Sequence, residues 1–597
     1  MDPIPVRSAV RAGVVGSLVL VYVALVGLIE RFADLKLVGE QVTLGRLLLF
    51  LPPFAVAYVV ARPRVVAGER RVAGPRAGLV AGAVSGVVTS AVFGVAVVLA
   101  DRFDVVRIRH VFIAATPGLI DFVTFERGVV VGIMILLVLG LASGALGGLA
   151  KTGDRRLTRP LAAGVSTVIL LGLLQRIVPI AMQELGIEPD FLYSPRTRSL
   201  TWGGAIGLLV LAAGADVLWN RSGPETQRRI RATMIEQPAA RVGILLIVLA
   251  VLVALPLLLG SVISQVLGSV MIFVLLGLGL NIVVGYAGLL DLGYVAFYAF
   301  GAYMMALLTG ATLNTTTGSS AAAFSLDLNF FIAIWLVVVL AAGVGLLIGA
   351  PVLRLRGDYL AIVTLGLGEI VRVLTESRWL QPLVGGPQGM RGVTDAAIAG
   401  YSFRNPQHFY YLALAFVLLA VFVSWRLAAS RIGRAWNAMR EDEQVADAMG
   451  VGTTRYKLLA FAMGGAVGSL GGALFAVQIG SLTPASFQIL VSITALAVVI
   501  LGGLGSIPGV VAGAVVLIGL PGLLREFEEF RLLIYGAVLV AIMVLRPQGL
   551  LPNVRRMREL HEEEEAQDEW VHRFADEAAA AAAVPGGTLG VEEEDLT

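Results

Sequence analysis

Glu369 and Arg372 stand three residues apart in the otherwise apolar run TLGLGEIVRVL. Residues at that spacing share a helix face and can pair. Ionisable groups inside an apolar helix face protein or water rather than lipid. Two readings stand side by side: a charged gate or a contact with another membrane chain, and a structural ion pair near the bilayer interface. Bond chemistry has little else to draw on. Cysteine is absent, which removes disulfides, thiolate metal sites and cysteine nucleophiles. The four histidines, His110, His408, His561 and His572, are scattered without metal-ligand spacing. No Gly-Lys dipeptide occurs, so there is no phosphate loop of the G-x-x-x-x-G-K-[ST] form. The chain reads as non-catalytic, and any nucleotide-driven work belongs to another chain.

Composition supplies the frame. Of 597 residues, 57% are hydrophobic and 15% charged, with mean hydropathy +0.86. Soluble domains carry roughly 25% charged residues. About sixteen stretches approach the ~20 apolar residues that a spanning helix needs. The expectation is an all-α polytopic membrane protein. The net charge of +3 is small and the basic residues sit in loops, which suits topology rather than nucleic-acid binding. VVGSLVLVYVALVGLIE follows Arg7 and Arg11 without a small-residue cleavage site, so it reads as an uncleaved first span.

Six spans are expected in residues 1–219, near 12–29, 44–61, 77–100, 128–149, 160–182 and 201–219. The Arg-rich stretch 220–241 reads as a linker. Residues 242–552 hold ten further candidates, and 553–597 form an acidic, Ala-rich tail containing HEEEEAQDEW. That tail reads as a short helix followed by disorder, either solvated or regulatory. The positive-inside rule places both termini in the cytoplasm, with loops 61–76, 150–159, 220–241 and 351–357. In the last of these, Arg354 and Arg356 anchor orientation beside Gly357, and Asp358 caps the next helix. GGPQGMRG, 385–392, falls on the outer side as a flexible loop near where an external partner lands.

Residues 430–451, SRIGRAWNAMREDEQVADAMGV, interrupt two apolar runs with Arg431, Arg434, Arg440, Glu441, Asp442, Glu443 and Asp447. At roughly 2.5–3.5 kcal/mol each, burying such charges at a bilayer centre would cost about 20 kcal/mol. The stretch therefore lies in water. Ala435, Ala438, Met439, Val445, Ala446 and Met449 gather toward one side, and Gly450 suits a helix C-cap. One short amphipathic helix results, held at both ends by spans. It either docks on a cytoplasmic partner or is an ordinary solvated loop helix.

At this point the residues resemble a known family. GRAWNAMREDEQVADAMGV, continued by KLLAFAMGGAVGSLGGALFA, is similar to the cytoplasmic coupling segment of ABC-importer permeases of the branched-chain amino-acid branch, LivM-type. Four more blocks match in order: LNIVVGYAGLLDLGYVAFYAFGAY, PVLRLRGDYLAIVTLGLGEIVR, VVILGGLGSIPGVVAGA and RPQGLLP. The resemblance covers about residues 240–552. It implies a permease half of about ten helices that pairs with a second, LivH-type permease, two ABC ATPase subunits and an external solute-binding protein. ATP and Mg would be bound by the ATPases and no cofactor by this chain. It further implies that the coupling segment docks on an ATPase, with Arg434, Arg440, Glu441, Asp442 and Glu443 in polar contact and Ala438, Val445 and Met449 seating the helix. Many permeases of this branch carry a Gln and a His near the first joint, where this chain has Leu289, Asp291 and Tyr294. Branched-chain amino acids are the family's usual solutes, and related permeases move urea, amides and other amino acids.

Glycine clusters mark the core blocks. Gly285, Gly288, Gly293 and Gly301 fall in one, and Gly502, Gly503, Gly505 and Gly509 in another. Small residues allow helices to pack closely in lipid, or allow broken helices whose free backbone ends line a solute path. The candidate pathway or gate set is Gly285, Gly288, Asp291, Gly293, Tyr294, Glu369, Arg372, Gly502, Gly503 and Gly505. An ion-driven secondary transporter would want paired intramembrane carboxylates or histidines, and Glu369 is the main such group. A membrane scaffold or receptor using the acidic tail is the third reading.

Overall fold

The computed structural model describes residues 6–61, 64–66, 69–71, 74–102, 116–221, 238–315, 318–321, 326–352, 358–398, 401–523, 536, 540 and 549–551. The linker core at 222–237, the Arg354–Gly357 loop, the expected span 530–546 apart from residues 536 and 540, and the acidic tail lie outside these residues, as does the side chain of Asp358. The chain divides into two compact units, Met1–Leu252 and Val253–Thr597. Among the described residues, nine helices are long and apolar enough to cross a bilayer, and shorter apolar helices accompany them.

The principal helices of the first unit are α1 (Val6–Leu25), α2 (Leu44–Val60), α3 (Pro75–Arg102), α4 (Val129–Thr152), α5 (Arg155–Leu173) and α6 (Trp202–Arg221). Helices α3 and α4 meet along facing rows of glycine. Gly78, Gly82 and Gly86 oppose Gly148, Gly144 and Gly140, and a methyl on any of these six would strike the opposite helix. Spacing of four keeps each row on one face, which brings the backbones together where lipid offers no hydrophobic drive for association. Hydroxyls reinforce the packing: Thr89 Oγ1 donates to the Gly13 carbonyl at 3.0 Å, and Ser143 Oγ to that of Phe50 at 2.7 Å. The fifth expected span, 160–182, is broken in two, since α5 ends at Leu173 and a short helix resumes at Val178 ahead of Pro179.

The second unit begins inside α7 (Pro238–Leu280). That helical run is broken at Gly260, whose φ of 71° is non-helical, so the two expected spans are two helices that meet at a kink. A π-helical turn, Asn281–Tyr286, ends it. The chain then continues through α8 (Val295–Leu308), α9 (Phe330–Val352), α10 (Asp358–Glu376) and α11 (Pro406–Ala429). After these come α12 (Arg431–Glu441), α13 (Glu443–Ala448), α14 (Thr453–Ile479), α15 (Ile489–Gly502) and α16 (Ile507–Ala514), the last running into a second π turn at Val515–Gly519. With 14 residues, α8 is about 21 Å long, short of the ~30 Å hydrocarbon core. It falls short of a full crossing.

Helix α14 is the centre of this unit, packed on α8 and α9 and buried over most of its length. Its glycines are the reason. The Tyr294 ring lies against Gly468, and the Tyr298 backbone fills the space beside Gly472. At the end of the unit away from α12, β1 (Thr312–Thr315), β2 (Gly318–Ala321), β3 (Met390–Arg391) and β4 (Ser481–Leu482) form an antiparallel sheet in the order β4-β3-β1-β2. GGPQGMRG is thus tied into a sheet by β3 rather than hanging as a flexible loop. Its backbone amides pair with strands from two distant parts of the chain.

Candidate functional site

The charged stretch folds as two helices, not one. Ser430 caps α12 by accepting from the amides of Ile432 at 3.1 Å and Gly433 at 3.4 Å. Asp442 is extended (φ −152°, ψ 114°) and caps α13, its carboxylate accepting from Gln444 N at 2.8 Å and Val445 N at 3.0 Å. An aspartate that caps a helix ends the one before it. Gly450 (φ 85°) closes α13: its amide donates to the Asp447 carbonyl, and that of Val451 to Ala446. This is the left-handed glycine stop expected from the sequence.

The structure divides the expected partner-facing set. Arg434, Ala438, Glu441, Val445, Met449 and Gly450 are exposed, with Val445 58% and Met449 80% accessible. These last two lie one turn apart, Val445 on α13 and Met449 at its C-cap, and present a bare apolar surface. Three others are engaged within the chain. Arg440 turns inward, and its Nη1 donates to the Gly285 carbonyl at 2.7 Å. Asp442, though exposed, is used by its own helix. Glu443 pairs with Lys457 Nζ at 2.6 Å, a lysine buried at the foot of α14. The seat of α12 is Trp436, fully buried, with Nε1 donating to the Tyr456 carbonyl at 2.8 Å.

Arg440 leads to the first glycine joint. Gly288 (φ 71°) packs against the Arg440 side chain, where a Cβ would come within 2.9 Å of Cγ. The π turn just before it places Asn281 inward, and Asn281 Oδ1 accepts from the Gly505 amide at 2.8 Å. The two glycine joints, far apart in sequence, are therefore in direct contact. Gly503 (φ 118°) and Gly505 (φ 78°) make the second joint turn sharply. The joint is completed by residues near the far end of the core: Leu550 N donates to Leu501 O at 2.8 Å, and Leu551 N to Gly502 O at 3.0 Å. A charge-assisted bond such as Arg440–Gly285 contributes roughly 1.5–3 kcal/mol and ties α12 to the joint.

Beyond Gly288 the chain turns into α8, whose first amides are satisfied by side chains from three directions. Asp291 Oδ1 accepts from Gly293 N at 2.9 Å, Thr364 Oγ1 from Leu292 N at 3.1 Å, and Ser492 Oγ from Val295 N at 2.8 Å. Tyr294 donates to the Gly464 carbonyl at 2.6 Å. Gly293 is pressed on α10, so a methyl there would strike the Thr364 carbonyl. Asp291 sits in the loop between helices, 2% exposed, and burial pushes its carboxyl up to about 6 against the opposing pull of the Gly293 and Thr364 hydrogen bonds. Its second oxygen has no partner among the described residues, and neither does Asn281 Nδ2.

Of the expected pathway residues, the structure gathers Gly285, Gly288, Asp291, Gly293, Tyr294, Gly502, Gly503 and Gly505 around one junction. Glu369 and Arg372 stand apart. Arg372 bridges Glu369 and Glu376, the latter at 2.6 Å, on a half-exposed face of α10. The residues that sequence reasoning missed are Asn281, Thr364, Trp436, Lys457 and Ser492. Asn281 carried a signal, being a lone polar group in an apolar run. Thr364 and Ser492 carried none, because hydroxyls are common in such helices.

Comparison with known proteins fits this arrangement. Residues 262–544 match the family model described as branched-chain amino acid transport system, permease component. The high-affinity branched-chain amino acid transport system permease protein LivM of Salmonella typhimurium is 39% identical over 52% of this chain and 75% of its own length. The chain belongs to this permease family. The LivM protein of Escherichia coli is 40% identical, over 48% of this chain and 69% of its own. The permease LivH of Salmonella typhimurium is more distant, 30% identical over 24% of this chain and 46% of its own length. No solved structure matches. The family match lies entirely within the second unit.

Proposed function

We propose that this chain is the LivM-type half of the membrane channel in an ATP-driven importer of branched-chain amino acids. Its partners are a LivH-type permease, two ABC ATPase subunits that bind ATP and Mg, and an external solute-binding protein. It sits in a prokaryotic plasma membrane with α12, α13 and both termini on the cytoplasmic side. The chain performs no bond chemistry. It converts displacement of a helix pair into opening of a path.

The observation that carries this reading is the bond from Arg440 to the Gly285 carbonyl. An ATPase that grips the exposed face of α12 and α13, through Arg434, Glu441 and the apolar pair Val445 and Met449, pulls on Arg440. Arg440 pulls on the π turn, and Asn281 carries the displacement to Gly505. π turns and glycine joints yield more readily than regular helix, so movement concentrates there.

The test is uptake of labelled leucine by the full importer reconstituted with ATPases and binding protein. Met449→Asp should lower uptake and ATPase recovery in the complex while the chain inserts normally. Undiminished uptake and assembly in that variant would overturn the docking face. A related importer for urea, amides or other amino acids would show the same dependence on Met449 with a different labelled solute.

A further inference from the structure

A cleft of about 550 Å³ opens between α12 and the start of α14. Arg431, Arg434 and Ala438 of α12 line one wall, Arg455 and Tyr456 of α14 the other, and residues 450–452 the floor. All three arginines are exposed. The walls are stitched together: Trp436 Nε1 of α12 donates to the Tyr456 carbonyl at 2.8 Å, and Ser430 caps α12 beside Arg431. Glu441 lies one turn beyond Ala438, so the positive charge is concentrated toward the Ser430 end. Three hydrated guanidinium groups suit a ligand that brings several negative charges at once, since a single exposed pair contributes little.

The chain carries such a ligand. Residues 562–569, EEEEAQDE, hold six carboxylates in eight positions. At helical spacing Arg558 can pair with Glu562 and Arg573 with Glu569, which leaves Glu563, Glu564, Glu565 and Asp568. The position of this run in the chain brings it to the cleft. Leu550 and Leu551 close the second joint, Asn281 bonds that joint to the first, and Arg440 of α12 bonds the first. The acidic run therefore starts eleven residues after a point already tied to α12. Eleven extended residues span up to about 36–40 Å, whereas α12 runs only about 14 Å from Arg440 to Arg431. A tether of that length holds run and cleft at roughly millimolar effective concentration.

We propose that this cleft is the docking site of the chain's own acidic segment, residues 562–569, whose carboxylates bridge Arg431, Arg434 and Arg455. Seated there, the segment covers Arg434 and so occupies part of the face offered to a cytoplasmic partner. Several weak pairs on a short tether give a contact that fills readily and is displaced readily. The docking needs this chain alone; the competition with an ATPase for Arg434 rests on the importer reading above.

The chain's lack of cysteine makes the test direct. Ala438→Cys, exposed on the cleft wall, and Ala566→Cys, inside the acidic segment, are combined in the full chain in phosphatidylcholine nanodiscs and oxidised with copper phenanthroline. A disulfide within one chain should form, about tenfold faster than when Val445→Cys, exposed outside the cleft, replaces Ala438→Cys. Glu563→Gln, Glu564→Gln and Glu565→Gln together should slow it roughly tenfold, as should about 0.5 M salt. Reversing both sides, Arg434→Glu and Arg455→Glu with Glu563→Lys, Glu564→Lys and Glu565→Lys, should restore it. An unchanged rate in the glutamine variant would overturn the proposal. Disulfides between two chains would give the cleft to a second copy, and loss of the link in phosphatidylglycerol nanodiscs would give it to lipid headgroups; either result overturns it. ATPase subunits added to the same sample should remove the link. A link that forms in the chain alone and survives them would keep the docking and remove the competition, so the two readings fail separately.

Discussion

Asn281 and Gly505 are 224 positions apart in the chain, yet the Asn281 side-chain oxygen accepts the Gly505 amide at 2.8 Å. One belongs to the π turn that ends α7 and the other to the sharp joint between α15 and α16. This bond makes two broken helices into one mechanical element, and Arg440 attaches that element to α12.

Replacing Asn281 by leucine removes the bond between the joints while keeping the volume. A lost buried hydrogen bond costs about 1–3 kcal/mol. Leucine uptake by the reconstituted importer should fall by roughly tenfold or more while basal ATP hydrolysis persists. Retention of full uptake would mean that the joints move independently.

Arg440→Lys keeps the charge but loses the planar fork, whereas Arg440→Gln loses both. The lysine variant should transport partially and the glutamine variant hardly at all, with similar amounts of protein in the membrane. ATP hydrolysis that no longer responds to loaded binding protein would mark the uncoupling.

Glu443 and Lys457 lend themselves to a double-mutant cycle. Lys457→Met or Glu443→Gln alone leaves one charge without its partner, and Lys457 is only 5% exposed in its side chain. Single losses at fully buried pairs cost about 3–5 kcal/mol; with Glu443 31% exposed, roughly half that is expected. The double variant should unfold closer to the parent than the sum of the singles. Additive losses in thermal melts would show that the pair contributes no coupling.

Asp291 gives the stability of the core a pH dependence. Its folded pKa, pushed up to about 6, lies above the ordinary 3.8. Folding therefore takes up a proton between those limits: the contribution is fully present below about pH 4 and is lost as pH rises through about 6. The parent should gain melting temperature as pH drops from 6.5 to 4.5, and Asp291→Asn should show a flatter profile. Identical slopes would place the titration elsewhere.

How much of this was legible beforehand depends on what each residue leaves in the sequence. Span composition revealed the helical class, and the charge of residues 430–451 excluded them from the bilayer, because each charge carries a large transfer penalty. Gly450 marked its helix end because a left-handed stop favours glycine. The break at Asp442 was missed, since an aspartate in a charged run looks like solvated surface until its carboxylate is seen on two amides. Arg440 was placed outward for the same reason: a cation's amphipathic side is decided by one carbonyl from another block. The meeting of Asn281 with Gly505 is a long-range contact, and no local periodicity encodes it. Met390 and Arg391 left no strand signal either, because two-residue strands are made by their partners.

The second joint is finished only when the amides of Leu550 and Leu551 reach Leu501 and Gly502. During synthesis the ribosome must translate nearly the whole conducting half before that turn can set. Until then an inserted nascent chain holds an incomplete hinge. A stop codon a few residues before Leu550 would yield a chain whose second joint lacks its closing pair of bonds.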